Sequence, residues 1–346
     1  METNILISCS TGTASEWGET FLPRLRTGLA PLGDIRLLDL TGQENAVLSQ
    51  ILPLADVDAI ALYAGRLTAD CVAAAPRLRL VGGIFDNRAY RVDYRSLQAR
   101  GVPLVDTTRG WAQSVAETGL SLMLACLRQS AWWHTLLATG ADGGRWPGGQ
   151  FSDNPAFVNG ELAGKRVGLV GLGAIGRALA RLLSAFPTRT FAYDPFVPDE
   201  VFAAASVEQM ALDELLSSSQ LVAVCVPPNP SSKGLLDARR VQLLPRGSIL
   251  VLITRAFPVD MAAVRQRVLA NEIYLGADVF DVEPLPADDL LRGRANVVHY
   301  PHIAGRNQDA RNRMAELLVA DFQRFFAGQP LECVLRPDVV ALNTGG

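Results

Sequence analysis

"GKRVGLVGLGAIGRALARLL", residues 164–183, decides the fold. Arg166–Val170 is a short apolar run that reads as a strand buried on both faces. Gly171, Gly173 and Gly176 follow it as GxGxxG, and an apolar helical pattern starts at once behind them. The spacing gives each glycine a task. Gly171 permits a tight turn, Gly173 lets a pyrophosphate approach the backbone, and Gly176 lets the helix pack on the strand. Ala174 and Ile175, inside the motif, count with the glycines as cofactor-binding positions, because the helix N-terminus there offers unpaired N–H groups to phosphate. An acid is required about 20 residues on, at the end of the next strand. "FAYDP" supplies Asp194. A carboxylate there accepts from ribose hydroxyls and repels a 2′-phosphate. Arg189 precedes that strand rather than following it, so NAD is favoured over NADP.

Outward from this motif the chain alternates strands and helices. Before it, strands are predicted at 4–9, 34–40, 58–64, 78–84 and 103–107, and after it at 191–194, 221–226, 249–253, 274–280 and 296–300. Helices are predicted around 17–30, 45–53 and 307–326. The stretch 114–139 has no proline and one glycine, so it reads as one long helix or two short ones. Residues 140–160, rich in Gly, Pro, Asn and Asp, read as a loop. The alternation implies α/β architecture with doubly wound parallel sheets. The end, 336–346, reads as a loose tail.

The 346 residues suit two domains, and 49% hydrophobic with 19% charged residues suits large buried cores. A net charge of -3 and a pI near 5.7 argue against nucleic acid as a partner. Two lysines, Lys165 and Lys233, stand against scattered arginines with no basic block. No window reaches the length of a membrane span, and the first residues do not read as a signal peptide. The five cysteines are far apart, without CxxC, and read as buried thiols of a reducing cytoplasm. The three histidines show no metal-ligand spacing, so no metal site is predicted.

"ELAGKRVGLVGLGAIGRALA" (161–180), "ITRAFPVD" (253–260), "GADVFDVEPLP" (276–286) and "VVHYPHIAG" (297–305) together resemble the D-isomer-specific 2-hydroxyacid dehydrogenases, in order and in spacing. The resemblance covers about residues 1–330. It implies a Rossmann NAD-binding domain, 114–303, inserted into a flavodoxin-like substrate domain made of 1–113 and 304–335, with the site in the cleft between them. It also implies a homodimer built by the helical region after Ser114. Trp132 and Trp133 are read as packing residues there, at the interface or in the core.

The same resemblance assigns catalytic roles to Arg255, Glu283 and His302. Arg255, at the end of the strand "ILVLI", would bind the substrate carboxylate through two parallel bonds. His302 would give a proton to the carbonyl oxygen of a 2-oxo acid and take it back from a D-2-hydroxy acid. Glu283 would hold the imidazolium and raise its pKa. Asp278 would accept from the nicotinamide carboxamide, and Pro227 and Thr254 would line the cofactor. The bland alternatives are an Arg255–Asp260 pair capping the sheet, Glu283 as a surface turn acid, and His302 as a satisfied core residue.

The sequence departs from the family in three places. Leu252-Ile253-Thr254-Arg255-Ala256 stands where Asn-Thr-Ala-Arg-Gly is usual, and Tyr300 replaces the threonine before Pro-His. The glycine-rich loop that binds the substrate carboxylate falls on Asp86-Asn87-Arg88, and Arg109 stands where proline is common. Asn87, Arg88 and Arg109 therefore become candidate substrate residues, for a substrate with a second anionic group. The alternative is that the arginines pair with Asp86, Asp93 or Asp106. Two other functions compete. A formate dehydrogenase would carry glutamine at Glu283. An NAD-sensing, corepressor-like protein would have little catalysis.

Overall fold

A computed structural model describes residues 3–11, 20–85, 89–141, 143 and 159–335. In chain order the strands are β1 (Thr3–Cys9), β2 (Gly33–Asp39), β3 (Ala59–Leu62), β4 (Leu80–Gly83), β5 (Leu104–Asp106), β6 (Arg166–Val170), β7 (Arg189–Tyr193), β8 (Glu208–Gln209), β9 (Leu221–Val224), β10 (Ile249–Leu252), β11 (Tyr274–Ala277) and β12 (Val297–His299). The helices are α1 (Phe21–Leu29), α2 (Leu48–Ile51), α3 (Ala69–Ala74), α4 (Tyr94–Ala99), α5 (Ala112–Arg128), α6 (Ser130–Thr139), α7 (Ala174–Leu183), α8 (Asp199–Ala204), α9 (Leu212–Ser218), α10 (Ala238–Leu243), α11 (Met261–Leu269) and α12 (Gln308–Phe326). They form two compact units, Met1–Trp111 with Arg306–Gly346, and Ala112–Gly305.

The first unit is a parallel sheet ordered β2-β1-β3-β4-β5. Alternate residues of its central strands feed opposite cores. Ile5, Ile7, Ala59 and Ala61 pack with Phe21, Leu25, Met314, Leu318 and Phe322 of α1 and α12. Leu6, Ile60 and Leu62 face Leu48, Leu67, Val72 and Leu97 on the other side. Both faces are thus buried, as a helix-covered parallel sheet requires. The segment after α12 is strapped back by Asp321, which is fully buried. Its carboxylate accepts the N–H groups of Glu332 (3.0 Å) and Cys333 (2.7 Å) and a bond from Arg324 Nη1 (2.9 Å).

The second unit is a parallel sheet ordered β12-β11-β10-β9-β6-β7-β8. The chain winds one way from β6 through β7 to β8, and the other way from β9 to β12. Between β6 and β9 lies the switch point, where open α/β sheets bind ligands beyond the carboxyl ends of the strands. β8, two exposed residues, is not among the predicted strands. The stretch 114–139 is two helices, broken at Gln129, whose φ of 50° is left-handed. α6 buries none of its ten residues within the chain. Trp132 and Trp133 therefore lie outside the core. Among the described residues no helix is long and apolar enough to cross a membrane.

Asp321→Ala leaves two backbone N–H groups at the strap without their acceptor. Each unsatisfied buried donor costs about 1–3 kcal/mol. Urea denaturation should show an unfolding free energy lower by that order, with a lower midpoint; an unchanged midpoint would mean that the strap contributes nothing.

Candidate active site

Every strand of the second sheet runs in one direction, so the residues that follow its strands share one edge. Gly171 follows β6, Asp194 β7, Pro227 β9, Thr254 and Arg255 β10, Asp278 β11 and His302 β12. The sequence thus brings motifs spread over 130 residues to one rim.

The glycines behave as the spacing predicts. Gly171 has φ of 101°, and a Cβ there would meet Val226 at 2.7 Å. A Cβ on Gly176 would come 2.2 Å from the Gly171 carbonyl oxygen, so only glycine lets α7 press against the turn. A Cβ on Gly173 would meet nothing within 4 Å, leaving the backbone open to an approaching group. No side chain caps α7, whose first residues are Ala174 and Ile175. Its first-turn N–H groups are of the kind that bind phosphate. Asp194 accepts from the Leu172 N–H (2.8 Å) and the Phe196 N–H (2.9 Å), tying the turn to the end of β7. Arg189 is at the opposite end of that strand, roughly 16 Å away at the usual rise per residue. Thr254 Oγ1 donates to the Val226 carbonyl (2.8 Å), which joins the ends of β10 and β9 beside Pro227. Pro227 O accepts from Ser232 Oγ (2.6 Å). These groups fit a dinucleotide: an open glycine turn, an uncapped helix start and a carboxylate at the next strand.

At the other end of the rim, Arg255, His302 and Glu283 stand in line. His302 Nδ1 is 2.6 Å from Glu283 Oε2, and Arg255 Nη1 is 3.4 Å from His302 Nε2. A guanidinium can only donate and an ionised carboxylate can only accept. In the neutral imidazole the proton is therefore on Nδ1, and Nε2 carries a lone pair. Glu283 Oε1 accepts from the Phe280 N–H (2.8 Å), which fixes its plane. Arg255 is half-buried, donates also to the Thr254 carbonyl (2.7 Å), and meets no carboxylate among the described residues. Asp260, its alternative partner, instead caps α11 by accepting from the Ala263 N–H (3.0 Å).

Asp278 holds the loop that carries His302. Its backbone oxygen accepts the His302 N–H (2.9 Å), and its carboxylate accepts the N–H groups of Ile303 (2.8 Å) and Ala304 (3.0 Å). Three successive amides thus converge on one residue, and they fix His302 at φ 54°, a left-handed value that histidine adopts more readily than most. Asp278 is fully buried, and desolvation pushes its carboxyl above the ordinary aspartate range. Nothing in the sequence pattern signalled this three-amide hold.

The candidate substrate residues fare differently. Asn87 and Arg88 lie outside the described residues. Arg109 pairs with Glu332 (3.0 Å), and Asp86, one of its three predicted partners, lies outside the described residues. Asp93 caps α4 through the Ser96 N–H (2.8 Å), and Asp106 accepts from the N–H groups of Phe85 (3.1 Å) and Thr108 (3.0 Å). Among the described residues no group of three His, Cys, Asp or Glu could hold a metal.

Residues 120–304 match the model of the D-isomer specific 2-hydroxyacid dehydrogenase NAD binding domain. The chain belongs to this family. It is 32% identical over 284 residues to the hydroxypyruvate reductase of Thermotoga maritima, covering 80% of this chain and 86% of that one. It is 32% identical over 325 residues to the D-3-phosphoglycerate dehydrogenase of Mycobacterium bovis, covering 92% of this chain and 57% of the longer relative. A crystal structure of a phosphoglycerate oxidoreductase from Rhizobium etli superposes with a TM-score of 0.81 at 25% identity, over 98% of this chain and all of that one. As a 2-hydroxyacid dehydrogenase the chain is an oxidoreductase with an NAD-binding domain.

Asp278→Asn in this dehydrogenase keeps the size but points an amide donor at a backbone N–H. A loss of about 1–3 kcal/mol in unfolding free energy is expected, with a fall in kcat as residues 302–304 relax. Chemical denaturation beside steady-state kinetics reads both. Unchanged values in both would contradict the three-amide hold.

Proposed function

We propose that this protein interconverts a 2-oxo acid and a D-2-hydroxy acid with NAD(H), using Arg255, His302 and Glu283. The observation that carries the reading is the unbroken line from Glu283 through His302 to Arg255. Each member has the polarity the reaction needs. Arg255, without a carboxylate partner among the described residues, binds the substrate carboxylate by paired N–H bonds. His302 Nε2, beside that guanidinium, gives a proton to the carbonyl oxygen in reduction and takes it back in oxidation. Glu283 receives the Nδ1 proton in a hydrogen bond and balances the imidazolium. An anion on Arg255 offsets the like-charge repulsion that an imidazolium would otherwise meet.

Gly171, Gly173, Ala174, Ile175, Gly176, Asp194, Pro227 and Thr254 would hold the dinucleotide, with Asp278 at the nicotinamide end. Bound NADH supplies the hydride. Asp194 at the end of β7, with Arg189 at the far end, favours NAD over NADP. The relatives' names span both kinds of tail, uncharged in hydroxypyruvate and phosphorylated in phosphoglycerate. A second anionic group on the substrate remains part of this proposal for Arg88 and Asn87. Arg109, already paired with Glu332, supports it less.

NADH and NADPH oxidation with glyoxylate, hydroxypyruvate, oxaloacetate and a phosphonylated 2-oxo acid tests the reading. At least one acid should turn over, faster with NADH. His302→Ala should lower kcat by about 10²–10⁴. Binding of NADH without turnover on any acid would favour the sensor instead. Faster turnover of the uncharged-tail acids would remove the second anion.

We also propose that two copies pair through α5 and α6. α6 exposes Trp133 and Leu137 and leaves Trp132 and Leu136 half-covered, an apolar face that its own chain covers only in part. The five buried free thiols suit a reducing cytoplasm. Light scattering should give twice the chain mass, and Trp133→Glu should lower it; a monomer in the native protein would end the pairing.

A further inference from the structure

Glu283 rides on a segment without regular structure, between the end of β11 and the start of β12. An orienting carboxylate on such a segment needs its backbone held, because small displacements of reacting groups are costly in rate. Within the segment itself, the Glu283 side chain is tied only through the Phe280 N–H.

Arg265, on α11, supplies the remaining hold. Its Nη1 donates to Asp281 Oδ2 (2.8 Å) and its Nη2 to Asp281 Oδ1 (2.7 Å), a paired fork on one carboxylate. The same Nη2 donates to Asp289 Oδ2 (3.0 Å). Asp281 lies two residues before Glu283 and Asp289 six residues after it, so one guanidinium gathers both sides of the segment. Asp289 is tied further by its Oδ1, which accepts the Leu291 N–H (2.8 Å). From the far side Arg292 Nε donates to the Pro286 carbonyl (2.6 Å). The clamp is also better sheltered than an ordinary surface pair. The Arg265 side chain is 22% exposed and that of Asp289 9% exposed. Exposed single pairs contribute little, whereas a bidentate, partly buried network can fix a geometry.

We propose that Arg265 is a positioning residue for Glu283: by clamping Asp281 and Asp289 it holds the carboxylate against His302 Nδ1. Arg265 touches none of the catalytic side chains and acts only through the segment. The proposal rests on the reading above, in which Glu283 orients His302. It fits the placement of Arg265 on α11, whose N-cap Asp260 anchors the helix right after the Arg255 strand end. The two arms of the line thus share one helix: Arg255 precedes it and Arg265 reaches from it to the Glu283 segment.

The test is a double-mutant cycle in the full chain, with Arg265→Gln, Glu283→Gln and both, plus Arg265→Lys. The readouts are kcat on the best 2-oxo acid and the NADH dissociation constant from fluorescence. Arg265→Gln is expected to lower kcat about tenfold and to leave NADH binding within about twofold. In the Glu283→Gln background the same change should cost less than about twofold in kcat, since there is no longer a carboxylate to position. Arg265→Lys should recover part of the loss, because an ammonium keeps one bond to Asp281 but not the fork. Where Arg265→Gln does not fold, Asp281→Asn replaces it in the cycle, being the more exposed end of the clamp. A loss that multiplies in the double variant overturns the proposal, as does wild-type kcat in Arg265→Gln while Glu283→Gln is impaired. Wild-type kcat in Glu283→Gln removes the orienting role of Glu283 itself, and the positioning role falls with it.

Discussion

A guanidinium that can only donate and a carboxylate that can only accept stand on opposite sides of one imidazole. That constraint chooses the tautomer of His302, and most of the second unit can be understood as what makes it hold. Arg255 must stand at the end of a strand, where the backbone turns out of the sheet and a charged side chain can reach the rim. Glu283 must arrive from another segment, and it arrives after β11. His302 must come from a third, after β12. Parallel strands in adjacent positions deliver all three to one edge. Asp278 then sets the height of the histidine by collecting three successive amides, in a conformation that a free loop would seldom keep.

The same edge carries the cofactor end of the reading. β6 and β7 lie on one side of the switch point and β9 to β12 on the other, so the glycine turn and Asp194 sit apart from the Glu283–His302–Arg255 line on a continuous rim. The division of labour is visible in the hydrogen bonds. At Gly173 to Gly176, the start of α7, no side chain caps the backbone. Around His302 both ring nitrogens face a partner, and Glu283 is oriented by the Phe280 N–H.

Much of this was legible in the sequence because it is written in strand ends. Apolar runs bounded by glycine or charge gave the strands of both sheets, whereas Asp278, Glu283 and His302 on the rim were singled out by the family resemblance. β8 escaped because Glu208 and Gln209 are exposed and carry no apolar signal. Two helices over 114–139 were one of two readings left open, and the place of the break was not legible because neither glycine nor proline stands at Gln129. Contacts made by charged residues were the hardest to foresee. Arg109 finds Glu332 more than two hundred residues away, and Arg265 finds Asp281 and Asp289 across a helix and a strand. In sequence such residues look like solvated surface, and only the fold reveals which of them meet.

The tautomer of His302 is the most direct test. The chain has three histidines, so the imidazole nitrogens can be assigned by nitrogen-15 NMR with single replacements of His134 and His299. The account expects the neutral ring of His302 to carry its proton on Nδ1, with Nε2 unprotonated, and expects that preference to weaken in Glu283→Gln. A neutral His302 protonated on Nε2, or a preference indifferent to Glu283, would contradict it.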